Sequence, residues 1–381
     1  MNSKLERTLN WEYVTLDEVV DRGSSNISLN KIKEDEGDYP IYSAKGFYKN
    51  ISFYHQEKEY IAIIKDGAGI GRLSVHPPKS SIVGTMQYLI PKDGFDLMFV
   101  KYFLTGINFN SYKQGATIPH IYFKDYKVEL VPKLPLEEQK RIVAKIDALF
   151  AKIDKAIALT EESLKQVKNL LPSLLKEVFE KGKADGWEEK KLEEVCDVIG
   201  GGTPKTKISE YWDGEIVWLS PIDLPPIGEI SIVSDSRKKI TDIGLKKSSA
   251  KLLPKGSVVY STRASIGKIA IAEIPLSTNQ GFTNFICGDG INNRYLCFCL
   301  KHFNKTIENL SNSTTFKEVS KSAVKEFEIP VPSIDSQMKV VKIADDILLK
   351  SKQTQSKLEE QLAYLKQLKS SILSKAFKGE L

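Results

Sequence analysis

Residues 136–180 read LEEQKRIVAKIDALFAKIDKAIALTEESLKQVKNLLPSLLKEVFE, and residues 334–378 read IDSQMKVVKIADDILLKSKQTQSKLEEQLAYLKQLKSSILSKAFK. Laid over one another, the two runs align without a gap. Gln139 falls on Gln337, Leu149 on Ile347, Leu164 on Leu362, Val167 on Leu365 and Leu170 on Leu368. Ser173 then meets Ser371, Leu174 meets Ile372, Leu175 meets Leu373 and Phe179 meets Phe377. The same dipeptide stands ahead of each run, Val131-Pro132 and Val331-Pro332. A repeat with a period of roughly half the chain means two copies of one plan.

In the first run the apolar positions are Ile142, Ile146, Leu149, Ile153, Ile157, Leu164, Val167, Leu171, Leu174 and Val178. Steps of three and four mark one face of a helix, and consecutive fours at Leu149, Ile153 and Ile157 form a stutter that relaxes supercoiling. Forty-five helical residues at 1.5 Å each make a rod of roughly 65–70 Å, too long to lie on one globular core. Its partner is expected to be the second run. Pairing two copies of this plan requires them to be antiparallel, which returns Phe377–Leu381 to the neighbourhood of Trp11. Pro172 removes a helical hydrogen bond and is expected to kink the rod near its end.

At 381 residues, 41% of them hydrophobic and 27% charged, the chain has material for two real cores besides the helices. The beginning, Met1-Asn2-Ser3-Lys4-Leu5-Glu6-Arg7, has no apolar run and is not expected to be a signal peptide. No window approaches a membrane span. The cysteines Cys196, Cys287, Cys297 and Cys299 include one Cys-x-Cys without a second pair, and read as reduced, buried thiols rather than metal ligands. The expectation is a cytoplasmic protein without a membrane partner. Net charge is +6, with acids and bases nearly balanced along the chain, so any nucleic-acid contact must come from local clusters.

Residues 1–133 and 183–332 repeat one another more loosely. Each opens on a Trp-Glu, Trp11-Glu12 or Trp187-Glu188, followed by Leu16-Asp17-Glu18-Val19 or Leu192-Glu193-Glu194-Val195. Strand-like Tyr60–Ile64 answers Gly256–Tyr260, and each leads to a tight loop, Ala68–Arg72 or Ala264–Lys268. Thr85-Met86-Gln87 answers Thr278-Asn279-Gln280. A short helix follows, around 97–104 or 294–303. A polar loop then closes each domain, Gly115-Ala116-Thr117 or Ser313-Thr314-Thr315. The fold class is therefore α+β. Two similar strand-rich domains, 1–133 and 183–332, are separated by a long antiparallel two-helix coiled coil, 134–182 with 333–381, as a pseudo-twofold repeat.

Catalysis is not visible. Gly67-x-Gly69-x-Gly71 lacks the Lys-Ser/Thr of a phosphate loop and runs into a strand, so it reads as a turn. His55, His76, His120 and His302 have no metal-ligand spacing and read as surface or core residues. No Ser sits in a nucleophile elbow. The clusters Arg237-Lys238-Lys239 and Lys246-Lys247 are solvated turns or contact points, with nothing in the sequence to decide.

Particular phrases carry a resemblance. Gly200-Gly201-Gly202-Thr203-Pro204-Lys205, with Glu210–Leu219 behind it, resembles a target-recognition domain of the specificity subunit of type I restriction–modification systems. Ser261–Gly267, Thr278–Phe282 and Ser313–Lys317 continue the likeness in the second domain, and Tyr39–Ser43 and Lys65–Gly71 in the first. Pro135-Leu136-Glu137-Glu138-Gln139 resembles the start of the family's spacer helix. The resemblance implies a non-catalytic subunit in which each domain reads one half of a split site on double-stranded DNA. It implies helices that set the unread gap and dock two adenine methyltransferase subunits, joined by restriction/translocase subunits. It implies no cofactor in this chain, since S-adenosylmethionine, ATP and Mg are used by the partner subunits. The Asn/Asp-Pro-Pro-Tyr type of motif that holds a flipped base in such methyltransferases does not occur here.

Phosphates favour Lys and Arg, and base edges favour Arg on guanine and Gln or Asn on adenine. With the shared loops as the other criterion, the candidate DNA contacts are Lys45, Lys65, Arg72, Gln87 and Lys113 in the first domain. In the second they are Lys205, Lys207, Arg263, Lys268, Gln280 and Lys317, while Asn279 can equally tie its loop to the backbone. A related methylation-only or type IIB-like system is the nearest alternative. A coiled-coil scaffold without DNA readout explains the helices but not the duplicated loops.

Overall fold

The computed structural model of the chain describes residues 11–311 and 317–381. The chain's first ten residues and the Ser313-Thr314-Thr315 part of the second closing loop lie outside these. Two compact units divide the chain, one made of residues up to Glu162 with Leu358–Leu381, the other of Ser163–Lys357. The long helices run Leu136–Ala184 and Ile334–Ala376, 49 and 43 residues, the first continuing through Pro172. Each begins in one unit and ends in the other.

In the first unit, strand Glu12–Thr15 pairs antiparallel with Leu130–Lys133, the strand that carries Val131-Pro132. The main sheet is antiparallel, in the order Val20–Ser24, Met86–Pro91, Tyr60–Ile64, Leu73–His76. A smaller sheet holds the hairpin Tyr39–Ser43 and Gly46–Ile51, with Ser81–Ile82 parallel to the first of these. Tyr60–Ile64 is the hub because every one of its residues is buried. Side chains alternate across a strand, so Tyr60, Ala62 and Ile64 enter a core with Ile41 and Ile51 of the small sheet. Ile61 and Ile63 face the other way, into a core with Phe99 and Leu104 of the helix Leu97–Thr105. A strand covered on both faces reads as an unbroken apolar run rather than an alternating one. Burial of each of the three isoleucines stabilises by about 1.5–3 kcal/mol. The same core receives Ile142 and Ile146 from the start of the first long helix, and Leu373, Ala376 and Phe377 from the end of the second. Trp11 and Leu381 pack on its margin, as antiparallel helices require.

The second unit repeats this plan. Glu189–Lys191 pairs with Glu328–Pro330, and the main sheet runs Cys196–Gly200, Phe282–Cys287, Val258–Ser261, Ile269–Ala272, Ile230–Val233. The last strand, parallel to its neighbour, is an addition. The small sheet is Lys239–Ile240, Trp212–Leu219 and Ser277–Thr278, the last again parallel. Val258 and Tyr260 face the helix Asn293–His302, while Val259 faces Val217 and Leu219. Here the end of the first long helix supplies Leu171, Leu175 and Phe179, and the start of the second supplies Val340 and Ala344. All four cysteines are free, Cys287 half-buried and the other three buried.

Candidate nucleic-acid interface

At one end of each main sheet, three loops are joined by backbone hydrogen bonds in the same pattern. In the first unit the turn after Ile64 closes through Gly71 N–H to Ile64 O at 2.9 Å and Ile64 N–H to Arg72 O at 3.0 Å. Gly67 and Gly71 have φ of +94° and +79°, the left-handed region glycine enters at no steric cost. This central turn donates from Lys65 N–H to Thr85 O at 3.0 Å and from Gly67 N–H to Pro119 O at 2.8 Å. It accepts from Ile121 N–H at Lys65 O, 3.0 Å. In the second unit Gly267 N–H meets Ser261 O at 3.0 Å and Ser261 N–H meets Lys268 O at 2.9 Å. Thr262 N–H reaches Gly281 O at 2.8 Å, Ala264 N–H reaches Lys317 O at 3.2 Å, and Val319 N–H reaches Thr262 O at 2.9 Å. A fourth loop joins there, because Gly202 N–H donates to Thr278 O at 2.9 Å.

The loops hold the candidate side chains in different states. Lys45, at the hairpin turn, and Lys113 are exposed, as are Lys205 and Lys207, and none makes an ion pair among the described residues. Arg72 is exposed and donates to Ala44 O at 3.2 Å, which brings it beside Lys45. Lys65 pairs with Asp66, whose other oxygen lies 2.7 Å from His120 Nδ1. Burial pushes the Asp66 carboxyl up, but the hydrogen bonds from Lys65 and His120 outweigh it and hold it below the usual range. Arg263 pairs with Glu318 at exposed positions, and the exposed Lys317 pairs at 2.7 Å with Glu308, whose side chain is mostly covered. The exposed Gln280 accepts from the Thr203 hydroxyl.

Two candidates point elsewhere. Gln87 is 5% exposed, facing inward, where Tyr126 Oη donates to its amide oxygen at 3.3 Å. Lys268 Nζ donates to Pro221 O at 2.6 Å and Leu224 O at 3.1 Å, so its ammonium holds a neighbouring turn. Both work as scaffolding for the loops. Asn279 does too, its side-chain oxygen accepting from Gly281 N–H at 2.9 Å.

Geometry adds residues that spacing could not supply. His120 and Asp66 meet across the loops although 54 positions apart in the chain. Lys238, from the undecided basic cluster, lies 5.5 Å over the Trp212 ring, whose indole N–H donates to Lys205 O at 3.3 Å. Trp212 packs edge-on against Trp218, which in turn donates to Gly202 O at 2.9 Å. The Lys205 loop and Lys238 therefore share one tryptophan platform. Among the described residues no group of His, Cys, Asp and Glu could hold a metal, and no helix is long and apolar enough to cross a membrane.

Residues 8–169 and 184–364 each match the family model described as the type I restriction modification DNA specificity domain. The specificity subunit of the type I restriction enzyme MjaIX from Methanocaldococcus jannaschii is 39% identical over 181 residues, 46% of this chain and 42% of that protein. The EcoR124I/EcoR124II specificity subunit from Escherichia coli is 28% identical over 54% of this chain and 50% of its own. The chain thus spans half or less of the length of these curated relatives. Among solved structures, a chain from work on complex assembly and conformational transition of the type I R-M system aligns over 99% of this chain and 100% of its own. Its TM-score is 0.79 at 21% identity. The HsdS subunit from Thermoanaerobacter tengcongensis aligns over 100% and 99%, with TM-score 0.62 and 21% identity. At that identity the likeness is one of fold.

Proposed function

The chain belongs to the type I restriction modification DNA specificity family, and from that premise we propose that it is the non-catalytic DNA-recognition subunit of a type I restriction–modification complex in the cytoplasm. Each domain reads one half of a bipartite site on double-stranded DNA, and the long helices set the unread gap and dock two adenine methyltransferase subunits. Restriction/translocase subunits complete the assembly. S-adenosylmethionine, ATP and Mg belong to those partners.

One observation carries the reading: the same hydrogen-bonded cluster of loops is built twice, once on each main sheet. A scaffold has no use for two such edges, whereas two half-sites need two. In the first domain the reading side chains are Lys45, Lys65, Arg72, Lys113 and His120. In the second they are Lys205, Lys207, Lys238, Arg263, Gln280 and Lys317. The Arg263–Glu318 pair is exposed on both sides, worth about 0–1 kcal/mol, and so is cheap to exchange for a phosphate or base contact, whereas Lys65, Asp66 and His120 form a part-buried cluster that costs more to open. Mapping methylated adenines in the source genome should return a two-part motif with an unread gap. Purified chain combined with its methyltransferase should methylate that motif, and the chain alone should transfer no methyl group and cut no DNA. Methyl transfer by the chain alone would overturn the proposal.

A further inference from the structure

The main sheet of the second unit carries two thiols face to face. Cys196 and Cys287 are direct partners in the antiparallel pairing of Cys196–Gly200 with Phe282–Cys287. Such pairs alternate between hydrogen-bonded and non-hydrogen-bonded types, and the flanking bonds identify which this is. Gly288 N–H donates to Val195 O at 3.0 Å, and Gly201 N–H donates to Phe282 O at 3.2 Å. These mark the odd-numbered positions of the first strand as the hydrogen-bonded pairs. Cys196 and Cys287 are thus a non-hydrogen-bonded pair, for which Cα atoms lie about 4.5 Å apart with side chains at their closest. Disulfides span Cα separations from about 4.4 Å upward.

Packing alone does not require sulfur here. The equivalent pair in the first unit is Val20 and Pro91, beside the equivalent bond from Lys92 N–H to Val19 O at 2.9 Å. Two apolar side chains fill that position adequately. We propose that Cys196 and Cys287 are a redox modification site, closing to a reversible disulfide when a peroxide reaches the half-buried Cys287. The hydrogen bond donated by the Cys196 thiol holds the Cys287 thiol below its ordinary range, and the same bond pushes Cys196 up. Cys287 is half-buried where Cys196 is buried, so it is the thiol that a peroxide reaches; it attacks as its thiolate and Cys196 resolves. Cys287 Sγ attacks one peroxide oxygen, the O–O bond breaks, and the hydroxide released takes a proton to leave as water. Cys196 Sγ then attacks the sulfenic sulfur, the S–O bond breaks, and the second water carries away the thiol proton. Two thiols have lost two electrons and one peroxide has become two waters. A small-molecule thiol reverses the step by exchange.

The staple joins the strand that feeds the Gly200–Lys205 loop to the strand that follows Thr278-Asn279-Gln280, so it tightens the supports of two recognition loops in one domain only. The test uses the full chain, reduced and then treated with hydrogen peroxide. Intact mass should fall by two hydrogens, non-reducing peptide maps should join the peptides of Cys196 and Cys287, and free thiols should drop from four to two. The melting temperature should rise and return on adding dithiothreitol. Cys196→Val, which installs the first unit's residue, should abolish the cross-link and leave Cys287 as a sulfenic acid trapped by dimedone. Cys287→Ser should leave Cys196 reduced. Both thiols remaining open to alkylation after peroxide, or a cross-link through Cys297, Cys299 or a second chain, would overturn the proposal.

Discussion

At the scale of single residues, the phrase Gly200-Gly201-Gly202 owes its glycines to close approach. A Cβ built on Gly201 would lie 1.8 Å from Asn279 O, and one on Gly202 would lie 2.2 Å from the Ala250 nitrogen. One recognition motif is thus the packing partner of another, which is why Gly-Gly and Thr-Asn-Gln occur together in the second domain. Arg263 stands on this assembly, paired with Glu318 while 45% of its side chain stays exposed. Arg263→Ala should weaken cognate binding by about 1–3 kcal/mol if the guanidinium grips a base edge. Anisotropy titrations against duplexes substituted one pair at a time should then show relaxed preference at one position of one half-site. An equal loss on every sequence would mean a phosphate contact. His76 supports a different expectation. It is 6% exposed, between the rings of Tyr42 and Tyr60 at 4.0 and 5.4 Å, and burial pushes its pKa down to about 4 from 6.5. The unfolded chain therefore binds the proton more readily than the native one between those values. Stability is full above about pH 6.5 and falls as pH drops towards 4, with a loss on the order of 2 kcal/mol by pH 5. Denaturant melts at pH 7 and pH 5 should show that loss, and His76→Phe should reduce it.

At the scale of elements, the joint between each domain and its outgoing helix is the most faithful part of the repeat. Gln139 and Gln337 are both fully buried, each making three hydrogen bonds to backbone. The Gln139 amide oxygen accepts from Asp96 N–H at 2.8 Å, and its nitrogen donates to Gly94 O and Leu134 O at 2.8 and 2.7 Å. Gln337 does the same with Asn292 N–H, Gly290 O and Pro332 O, at 2.8, 2.9 and 2.9 Å. The helix start is thereby pinned to the loop ahead of the short helix and to its own approach. Gln139→Leu and Gln337→Leu should each cost about 3 kcal/mol, since buried backbone groups left unpaired cost about 1–3 kcal/mol apiece. Denaturant midpoints of the two variants should fall alike, and unequal shifts would mean the joints differ in strength. That this glutamine recurs was legible in the sequence, as were the helices, because periodicity and repetition are local signals. Two of the three partners of each were not, lying 43 or more positions away. Gln87 and Lys268 show the same gap at the recognition loops. Residue type made them candidates, but the direction of the side chain depends on strand register and on carbonyls distant in the chain.

At the scale of the whole molecule, each long helix begins in one unit and ends in the other, and the division falls after Glu162 in the first and after Lys357 in the second. In the first unit Asp154 pairs with Lys369 at 2.5 Å, and that ammonium also lies 4.8 Å over the Phe150 ring. Phe377 packs edge-on against Phe99 and Phe103. Phe179, its counterpart in the repeat, packs on Tyr295 and Phe303 in the second unit. Each helix end is thus locked to a recognition domain by the same aromatic, so a change in helix length cannot be absorbed by fraying at the ends. If the helices are the ruler for the unread gap, four residues added after Glu162 and four after Lys357 should lengthen it. Four residues add about 6 Å of helix, and one base pair rises about 3.4 Å, so the gap should grow by one or two base pairs. A four-residue step also matches the stutter already present at Leu149, Ile153 and Ile157, so the paired stripe can continue through it. Base preferences within each half should stay as they were, because the loops proposed to read them are untouched. Methylated-site mapping of parent and insertion variant gives both quantities at once. An unchanged gap in a variant that still folds and supports methylation would make the helices a docking surface and not a ruler.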